Sequence, residues 1–294
     1  VDRAEVREDV LSITLQAGEV RAIFDKHAGT LTSFGAGRNW VLIGPRLNVW
    51  RGATDNDGIK LMLADQERKP LFRWLDQGLH QVQFRLDGVR LLDEAGGPVV
   101  EIVQRASGRG QFDDFLHVQR CRLDGAGALW VENRVRLGNG ISDVPRIGVT
   151  LLLSPELEQL AWFGRGPWEN YSDRKAAALV GRYQSTVSDQ YVPYIMPQEH
   201  GNKCDVRWLT LTNGGGSGLR VDGLPLLEFS ASHFSADDLY AARHTVDLTP
   251  RREVILNLDA GQRGLGTASC GPDTLPAYRL LADEYTFGYK LAVV

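Results

Sequence analysis

The chain has 294 residues, of which 43% are apolar and 24% charged, and this balance excludes both an intrinsically disordered chain and a membrane-embedded one. Its formal net charge of −4 is spread along the sequence, which argues against a nucleic-acid-binding surface. The 32 glycines exceed the number, about 21, that average composition would give, so the sequence predicts many tight turns.

Strand-like runs dominate the chain from its beginning. Polar and apolar residues alternate in residues 13–18, 20–25 and 29–34, with turn residues between them, and this pattern predicts a series of β-hairpins. Comparable runs follow at residues 82–86, 99–104, 116–123, 129–137, 147–153, 206–212, 254–258 and 285–293. Turn signals about 8–15 residues apart are typical of an antiparallel sandwich, and a chain of this length requires wide sheets.

Two short helices are predicted among these strands. Pro70 suits the first position of a helix that carries Leu71 and Trp74 on one face and ends near Gly78. Ser235 has the character of an N-cap, because acidic residues follow it in what would be the first helical turn. Neither helix is long enough to organise the fold.

The glycine-rich segment 213–218 is the strongest candidate for a linker. A short segment between two strand-like runs is more typical of a hairpin loop, and no proline-rich or charged tract divides the chain into halves. We therefore expect residues 1–294 to form a single domain. The fold class that follows is all-β, a large two-sheet antiparallel β-sandwich with a few short helices.

The cysteines and the start of the chain indicate a cytoplasmic protein. Cys121, Cys204 and Cys270 are far apart and form no C-x-x-C pair, as expected of reduced thiols. No run approaches the about 18 apolar residues of a membrane helix, and the first residues lack the basic and apolar regions of a signal peptide. The chain begins without Met, which suits either a segment of a longer polypeptide or removal of the initiator Met.

Motifs for nucleotide and metal binding are absent from the sequence. It contains neither a P-loop nor a G-x-G-x-x-G in a strand–turn–helix context, and the histidines do not recur at metal-ligand spacing. Residues 53–58 resemble part of a calcium loop, but Ala53 and Ala64 would then stand at its first and last ligand positions. We expect no cofactor and no metal site in this chain.

Two polar clusters could carry chemistry. Residues 46–58 end a strand-like run with short acidic and amide side chains, and residues 162–174 combine glycines, aromatic rings and paired charges. Asp and Asn in the first cluster could simply cap a turn. Capping is the default for such residues, and the functional alternative is an Arg–carboxylate network that faces a ligand or a neighbouring domain.

Paired carboxylates are what a glycosidase needs. Glu169 with Asp173, or Asp55 with Asp57, could supply such a pair, but structural Arg–carboxylate networks are far commoner than catalytic dyads, and the sequence does not fix the separation of either pair. Glu199 and the adjacent His200 would face opposite sides of a strand and are poor direct partners.

Aromatic rings on loops suit sugars, because a pyranose presents an apolar C–H face to a ring. The rings within or near the polar clusters are those of Trp50, Trp162, Trp168, Tyr171, Tyr191 and Tyr194. The alternative for each ring is an ordinary place in the core.

Four blocks of the sequence, in this order, resemble the C-terminal domain of the large lac-type β-galactosidases of glycoside hydrolase family 2. The blocks are residues 50–57, 164–174, 191–202 and 264–272, and residues 24–31 also suit the start of that domain. The resemblance extends over nearly the whole chain. It implies a galactose-mutarotase-like supersandwich, in agreement with the β-sandwich predicted above.

In that family the two catalytic glutamates and the divalent metal ligands belong to a TIM-barrel domain that lies earlier in the polypeptide. The resemblance therefore implies that this chain has no catalytic residue of its own and is inactive when isolated. Its implied partners are the barrel portion or large subunit of the same enzyme, further copies in an oligomer, and a β-galactoside or galactose at the rim of the sugar pocket. No nucleic acid and no membrane is implied as a partner.

The rim residue of the family is altered in this chain. A Trp that stacks on the substrate in the best-known relative is replaced here by Cys270, and a thiol provides no stacking face. We expect sugar contacts to come from residues of the four blocks. These are Cys270, Arg51, Asp55, Asn56, Asp57, Arg165, Glu169, Asn170, Glu199 and His200.

Two further functions stay open on sequence grounds. The implied fold also hosts aldose 1-epimerases, which use a His acid and a Glu base, and the nearest residues for such a pair are Glu228, Glu284, His200 and His244. A non-catalytic carbohydrate-binding module would rest on the aromatic loops alone. The fold by itself does not choose among these functions.

Overall fold

A computed structural model describes residues 3–62 and 68–294 of the chain, and antiparallel β-strands are its main element. The strands are β1 (Glu5–Glu8), β2 (Ser12–Ala17), β3 (Val20–Asp25), β4 (Thr30–Ala36), β5 (Val41–Asn48), β6 (Gln83–Glu94), β7 (Gly97–Ser107), β8 (Phe115–Leu123), β9 (Leu129–Leu137), β10 (Arg146–Leu153), β11 (Gln159–Gly166), β12 (Leu179–Thr186), β13 (Lys203–Thr212), β14 (Gly218–Ser232), β15 (Val254–Gln262) and β16 (Glu284–Val293).

Both predicted helices are confirmed. Helix α1 (Pro70–Asp76) begins with its proline, and Gly78 follows it in the left-handed conformation at a φ of 68°. Helix α2 (Ala236–Ala241) has Ser235 as its N-cap, whose Oγ accepts a hydrogen bond from the N–H of Asp238 at 3.1 Å. The Asp238 carboxylate returns a hydrogen bond to the N–H of Ser235 at 2.8 Å, which completes a capping box.

Short 3₁₀ helices connect some of the strands, at Leu79–Gln81, Ser188–Gln190, Thr245–Asp247 and Pro276–Tyr278. No helix in the described part of the chain is long and apolar enough to cross a membrane.

The strands form two antiparallel sheets. Strands β1 to β4 form a four-stranded meander, and the remaining strands form a twelve-stranded sheet in the order β12-β11-β13-β14-β16-β9-β8-β7-β6. Strand β14 divides this larger sheet, because residues 219–224 pair with β16 while residues 228–232 pair with β15. Beyond β15 the sheet continues through β10 to β5. The predicted all-β antiparallel sandwich is confirmed.

One hydrophobic core joins the two sheets. Side chains alternate between buried and more exposed along β8 and β9, as a half-buried sheet requires. The fully buried Phe24 and Phe34 of the four-stranded sheet belong to the same apolar cluster as Phe115 and Val131 of the larger sheet. The small sheet is therefore packed on the large one through the core.

Some strands were not predicted from the sequence, for a physical reason. Strand β5 contains Gly44 and Pro45, and β14 contains Gly223 and Pro225, which read as turn signals. The register of each of these strands shifts against a neighbouring strand, as at a bulge, where glycine and proline are tolerated. Strand β12 lies at the sheet edge and is largely exposed, so it lacks the apolar alternation of a core strand.

The hairpin loop is confirmed. Residues 213–217 join β13 to β14, whose ends pair at Thr212 and Gly218. The side-chain oxygen of Asn213 accepts hydrogen bonds from the N–H groups of Gly215 and Ser217 at 2.9 and 3.1 Å. The loop is thus an ordered turn.

Candidate functional site, a cleft where four distant segments meet

Four segments that are far apart in sequence line one cleft of about 190 Å³. Most of its lining residues are polar or aromatic. They are Thr54, Asp55 and Asn56 from the first segment, Tyr171 and Arg174 from the second, Tyr194, Gln198 and Glu199 from the third, and Leu265 and Ser269 from the fourth. Each segment belongs to one of the four blocks that carry the family resemblance, so the fold brings those blocks to one place.

Two tyrosines and an arginine dominate one side of the cleft. The Tyr171 ring is buried, with 1% of its surface exposed, and the Arg174 guanidinium lies 5.5 Å from its ring centre. The Tyr171 hydroxyl is buried and has no hydrogen-bond partner among the described residues. Burial raises the pKa of Tyr171 well above its usual value, so the hydroxyl keeps its proton.

Glu169 orients the side chains of Arg174 and Tyr194 on this side of the cleft. One carboxylate oxygen accepts hydrogen bonds from the Tyr194 hydroxyl and from Arg174 Nη2, the latter at 2.8 Å, and the other oxygen accepts from the N–H of Gly201 at 2.9 Å. Burial, together with the Glu169 carboxylate, raises the pKa of Tyr194. Glu169 thus acts on the cleft through its neighbours.

Asn56 and Asp173 attach the fourth segment to the rest of the cleft. Asn56 donates to the carbonyl of Gly266 at 2.9 Å and accepts from the N–H of Ser269 at 3.0 Å. The two oxygens of Asp173 accept from the N–H groups of Leu265 and Gly266 at 2.9 and 2.7 Å. These four hydrogen bonds hold the backbone of the segment that carries Cys270.

Cys270 itself is exposed and follows the cleft residue Ser269. Its N–H donates to the carbonyl of Thr267 at 3.2 Å, so the thiol lies on a turn. Cys270 therefore lies beside the cleft without being one of its lining residues.

A buried ion pair supports the first segment of the cleft from the protein interior. Arg51 and Asp57 are both fully buried and face each other, with Nη2 to Oδ1 at 2.6 Å. Arg51 also donates to the carbonyl of Arg263. Arg263 in turn pairs with Asp143 at 2.6 Å. Neither Arg51 nor Asp57 lines the cleft, and both act by positioning the turn that contains Asp55 and Asn56.

A second buried network lies behind Glu199. Arg146 Nη2 is 3.2 Å from Glu199 Oε1 and 2.9 Å from Asp259 Oδ2. Burial raises the pKa of Asp259 to about 6, against the lowering effect of Arg146. Four buried charged residues of these networks were not predicted from the sequence: Arg146, Asp259, Arg263 and Asp143. The available signal was a charged residue within or beside an apolar strand, as Asp259 is in β15 and Arg146 is at the start of β10.

Glu199 and His200 lie on an irregular segment rather than on the strand assumed above, and both side chains are buried. His200 Nδ1 lies 3.0 Å from the carbonyl oxygen of Gln198, and the Tyr191 ring meets the imidazole edge-on at 5.2 Å. Glu199 instead pairs with Arg146. The two residues are therefore poor direct partners, as expected. The strand geometry on which that expectation was based was wrong.

Arg165 and Asn170 lie outside the cleft lining. Arg165 forms an ion pair with Asp205 and donates to the carbonyl of Ala178 at 2.8 Å. Asn170 is buried, donates to the carbonyl of Trp168 at 3.0 Å and accepts from the N–H of Cys204 at 2.8 Å. Both residues stabilise the polypeptide around the second segment.

The two carboxylate pairs considered as glycosidase dyads are separated by their partners. Asp57 faces Arg51 in the interior, whereas Asp55 is exposed at the cleft. Glu169 faces Arg174, whereas Asp173 faces the backbone of the fourth segment. These contacts favour the interpretation that the two pairs belong to Arg–carboxylate and backbone networks.

The aromatic rings divide between core and surface. Trp50 and Trp162 are buried in the core, and Tyr171 and Tyr194 line the cleft, while Trp168 is 80% exposed. Within residues 3–62 and 68–294, no group of three or more His, Cys, Asp or Glu side chains is arranged to hold a metal ion.

Comparison with known families decides where the chain belongs. The family model described as the β-galactosidase small chain matches residues 16–291. The chain belongs to this family. Curated relatives include the β-galactosidases of Priestia megaterium, 31% identical over 97% of the chain, and of Vibrio cholerae, 31% identical over 98%. The chain spans 27% and 28% of the lengths of these two relatives, and the small-chain region is the part that it matches.

Solved structures that resemble the chain include an aldose epimerase and an aldose epimerase homologue. They include the galactose 1-epimerase of Lactobacillus acidophilus, with a TM-score of 0.41 and 12% identity over 98% of this chain and 96% of that one. A GalM/aldose epimerase homologue from C. elegans gives a TM-score of 0.39 and 12% identity over 70% and 68% of the two chains. TM-scores below 0.5 are too low for conclusions about function.

The chemistry that the small-chain cleft offers is hydrogen bonding. Arg174 and the exposed Asp55 line the space together with Tyr171 and Gln198, so a hydroxyl-bearing group would find a donor and an acceptor there. The second carboxylate of the lining, Glu199, is already paired with Arg146. The arrangement suits holding part of a ligand rather than cleaving it.

Proposed function

We propose that this chain is the small-chain part of a β-galactosidase that hydrolyses terminal β-galactosides. In this proposal the chain packs against the remainder of the enzyme and completes the rim of the sugar pocket. The catalytic carboxylates and the divalent metal are supplied by the remainder. The observation that carries the proposal is the cleft itself, since the four family blocks converge on it and one of its two carboxylates, Glu199, is paired with Arg146.

Exposed apolar side chains beside the cleft support an interface with the remainder. Trp168 and Ile195 are 80% and 93% exposed, and each lies within a few residues of a cleft-lining tyrosine. Leu179 and Val180 at the start of β12 are also exposed. Gly166 pairs with Leu179, so Trp168 follows a strand end that lies beside Leu179. Neighbouring exposed apolar side chains are typical of protein–protein contacts. We propose that the barrel portion or large subunit covers them, and that the same contact helps the enzyme to assemble as an oligomer.

Reconstitution tests this function. The chain and the remainder of the same enzyme are produced separately, and hydrolysis of o-nitrophenyl β-galactoside is measured for each alone and for the mixture. We expect no hydrolysis by the chain alone and restored hydrolysis in the mixture. Hydrolysis by the chain alone that Glu169→Gln abolishes would place catalysis in this chain and overturn the proposal.

A surface variant tests the interface. Trp168→Asp should raise the chain concentration needed for half-maximal activity by about tenfold, because an aromatic anchor of an interface commonly contributes that much to binding. The matched control is Val246→Asp, at an 88% exposed apolar residue outside the four segments, which should leave that concentration unchanged. Equal effects of the two variants would argue against this face as the interface.

The epimerase alternative receives no support from the positions of its residues. Glu284 pairs with Arg134 at 2.9 Å, and the exposed His244 lies beside Asp247. None of the four candidate residues, Glu228, Glu284, His200 and His244, is among the residues that line the cleft. Faster interconversion of galactose anomers in the presence of the chain would nevertheless favour that function.

A further inference from the structure

A second pocket, of about 320 Å³, shares no lining residue with the cleft. Its base is formed by β5, β10 and β15, and residues 79–84 and 235–237 form its walls. The volume is at the lower end of the range of about 300–1,000 Å³ that is typical of small-molecule sites. Nothing in the function proposed above uses this pocket.

The base of the pocket is a row of uncharged polar side chains that crosses three neighbouring strands. Asn48 on β5 donates to Thr150 Oγ1 on β10 at 2.9 Å, and Thr150 donates to Asn257 Oδ1 on β15 at 2.6 Å. Ser230 on β14 accepts from Asn257 Nδ2 at 3.1 Å and extends the row. Because the members hold one another in place, their remaining donors and acceptors have fixed directions before a ligand arrives.

Aromatic rings also line the pocket. Trp50 and Phe84 line the pocket together with His80, whose ring centre is 6.0 Å from that of Trp50. Trp50 is buried, with 5% of its surface exposed. Neither its Nε1 nor the buried Nδ1 of His80 has a hydrogen-bond partner among the described residues. A buried indole N–H normally has an acceptor, so Trp50 and His80 each bring an unsatisfied nitrogen atom to the lining of this pocket.

The charges of the pocket are few and of both signs. The titratable side chains that line it are Arg46, His80 and Asp237. Burial lowers the pKa of His80 and raises the pKa of Asp237, so burial disfavours the charged form of both groups. A pocket with this balance does not select a strongly anionic or cationic ligand.

We infer that this pocket binds a neutral, polyhydroxylated ligand of one or two sugar rings, at a site separate from the cleft. Hydroxyl groups of such a ligand accept from Trp50 Nε1–H, pair with His80 and Asp237, and bond to the row of Asn48, Thr150 and Asn257. Its apolar C–H face lies on Phe84. A carbohydrate combines these properties, whereas an apolar ligand would leave the polar base unsatisfied.

The indole resonance of Trp50 provides a direct measurement. In ¹H–¹⁵N spectra of the chain, the Nε1–H signal of Trp50 is assigned with Trp50→Phe, and galactose and lactose are then titrated separately up to 100 mM. We expect at least one of the two sugars to shift this signal in a saturable way. Absence of any saturable shift with both sugars would overturn the inference.

Variants separate this pocket from the cleft. Phe84→Ala, at a partly exposed residue, should weaken binding by about fivefold, the loss typical of one aromatic contact, and Asp237→Asn is a second variant that adds no bulk. Arg174→Met in the cleft should leave the titration of the Trp50 signal unchanged. A titration that Arg174→Met weakens, while Phe84→Ala and Asp237→Asn do not, would assign the binding to the cleft and overturn the inference. The outcome is independent of the reconstitution assay, so failure of one proposal leaves the other standing.

Discussion

The Arg51 guanidinium and the Asp57 carboxylate form a fully buried two-point ion pair, with Nε to Oδ2 at 3.0 Å and Nη2 to Oδ1 at 2.6 Å. Asp57 Oδ2 also accepts from the N–H of Thr54 at 2.9 Å. The pair therefore closes the turn of residues 54–57 and connects it, through the carbonyl of Arg263, to the end of β15. Because Asn56 lies on this turn and binds the fourth segment, one buried pair aligns two sides of the cleft.

Asp57→Asn should destabilise the protein strongly, because it leaves the Arg51 charge buried without a counter-ion. We expect a loss of about 3–5 kcal/mol in the free energy of unfolding, measured by urea denaturation. The matched control is Asp87→Asn, which breaks the partly exposed pair with Arg105 and should cost no more than about 1 kcal/mol. Similar losses in the two variants would show that burial does not increase the contribution of the Arg51–Asp57 pair to the free energy of unfolding.

Gly264→Ala should destabilise the fourth segment through Asp173. A Cβ at Gly264 would lie 2.6 Å from Asp173 Cγ, so the carboxylate that holds Leu265 and Gly266 would have to move. We expect faster hydrogen exchange at those two amides and a lower melting temperature.

The double variant gives the sharper result. Asp173→Ala removes both the hydrogen bonds and the obstacle, so Gly264→Ala should cost much less stability in that background than in the wild type. Additive losses would show that Gly264 is required for a reason other than its contact with Asp173.

Glu228 should make stability depend on pH. Burial raises its pKa from an ordinary 4.5 to about 7, so its contribution is fully present below about pH 4.5 and is lost as the pH rises through about 7. Glu228→Gln keeps an acceptor for Asn202 Nδ2, which donates to Glu228 at 2.9 Å, and removes the ionisation. As the pH rises from 4 to 8, the unfolding free energy of the variant should increase by about 3 kcal/mol relative to that of the wild type. Urea denaturation at each pH measures this difference.

The control for this pH dependence is Glu132→Gln, at an exposed position on β9, which should behave as the wild type does. Part of the pH dependence should remain in every variant, because Asp259 has a pKa raised to about 6. A Glu228→Gln protein with unchanged pH dependence would show that the carboxyl is not desolvated in the folded state.

The three cysteines should differ in reactivity. Cys270 is exposed, whereas Cys121 and Cys204 are buried and burial raises the pKa of both thiols. Because the thiolate is the reactive form, we expect one equivalent of a thiol reagent such as DTNB to react rapidly at pH 8 and the other two only after unfolding. Cys270→Ser should abolish the rapid phase. A rapid phase that survives this substitution would show that a buried cysteine is accessible.

Much of the local structure can be read from the amino-acid sequence. The alternation of β8 and β9, the proline that starts α1, the N-cap Ser235 and the hairpin loop after Thr212 all reflect interactions within a few residues. Where glycine and proline interrupt β5 and β14, the same local patterns predict turns, because the pairing that keeps these strands extended comes from distant segments.

The family blocks were likewise visible in the sequence, as was their order, but their convergence on one cleft was not. Asn56 binds Ser269 across 213 residues, and Arg51 binds Arg263 across 212. Sequence determines which side chains have polar or apolar character, since this is a property of each residue and its neighbours. Only the tertiary structure decides which buried charges become partners, because the pairing of β10 with β15 and of β10 with β5 sets the distances between residues that the chain itself keeps far apart.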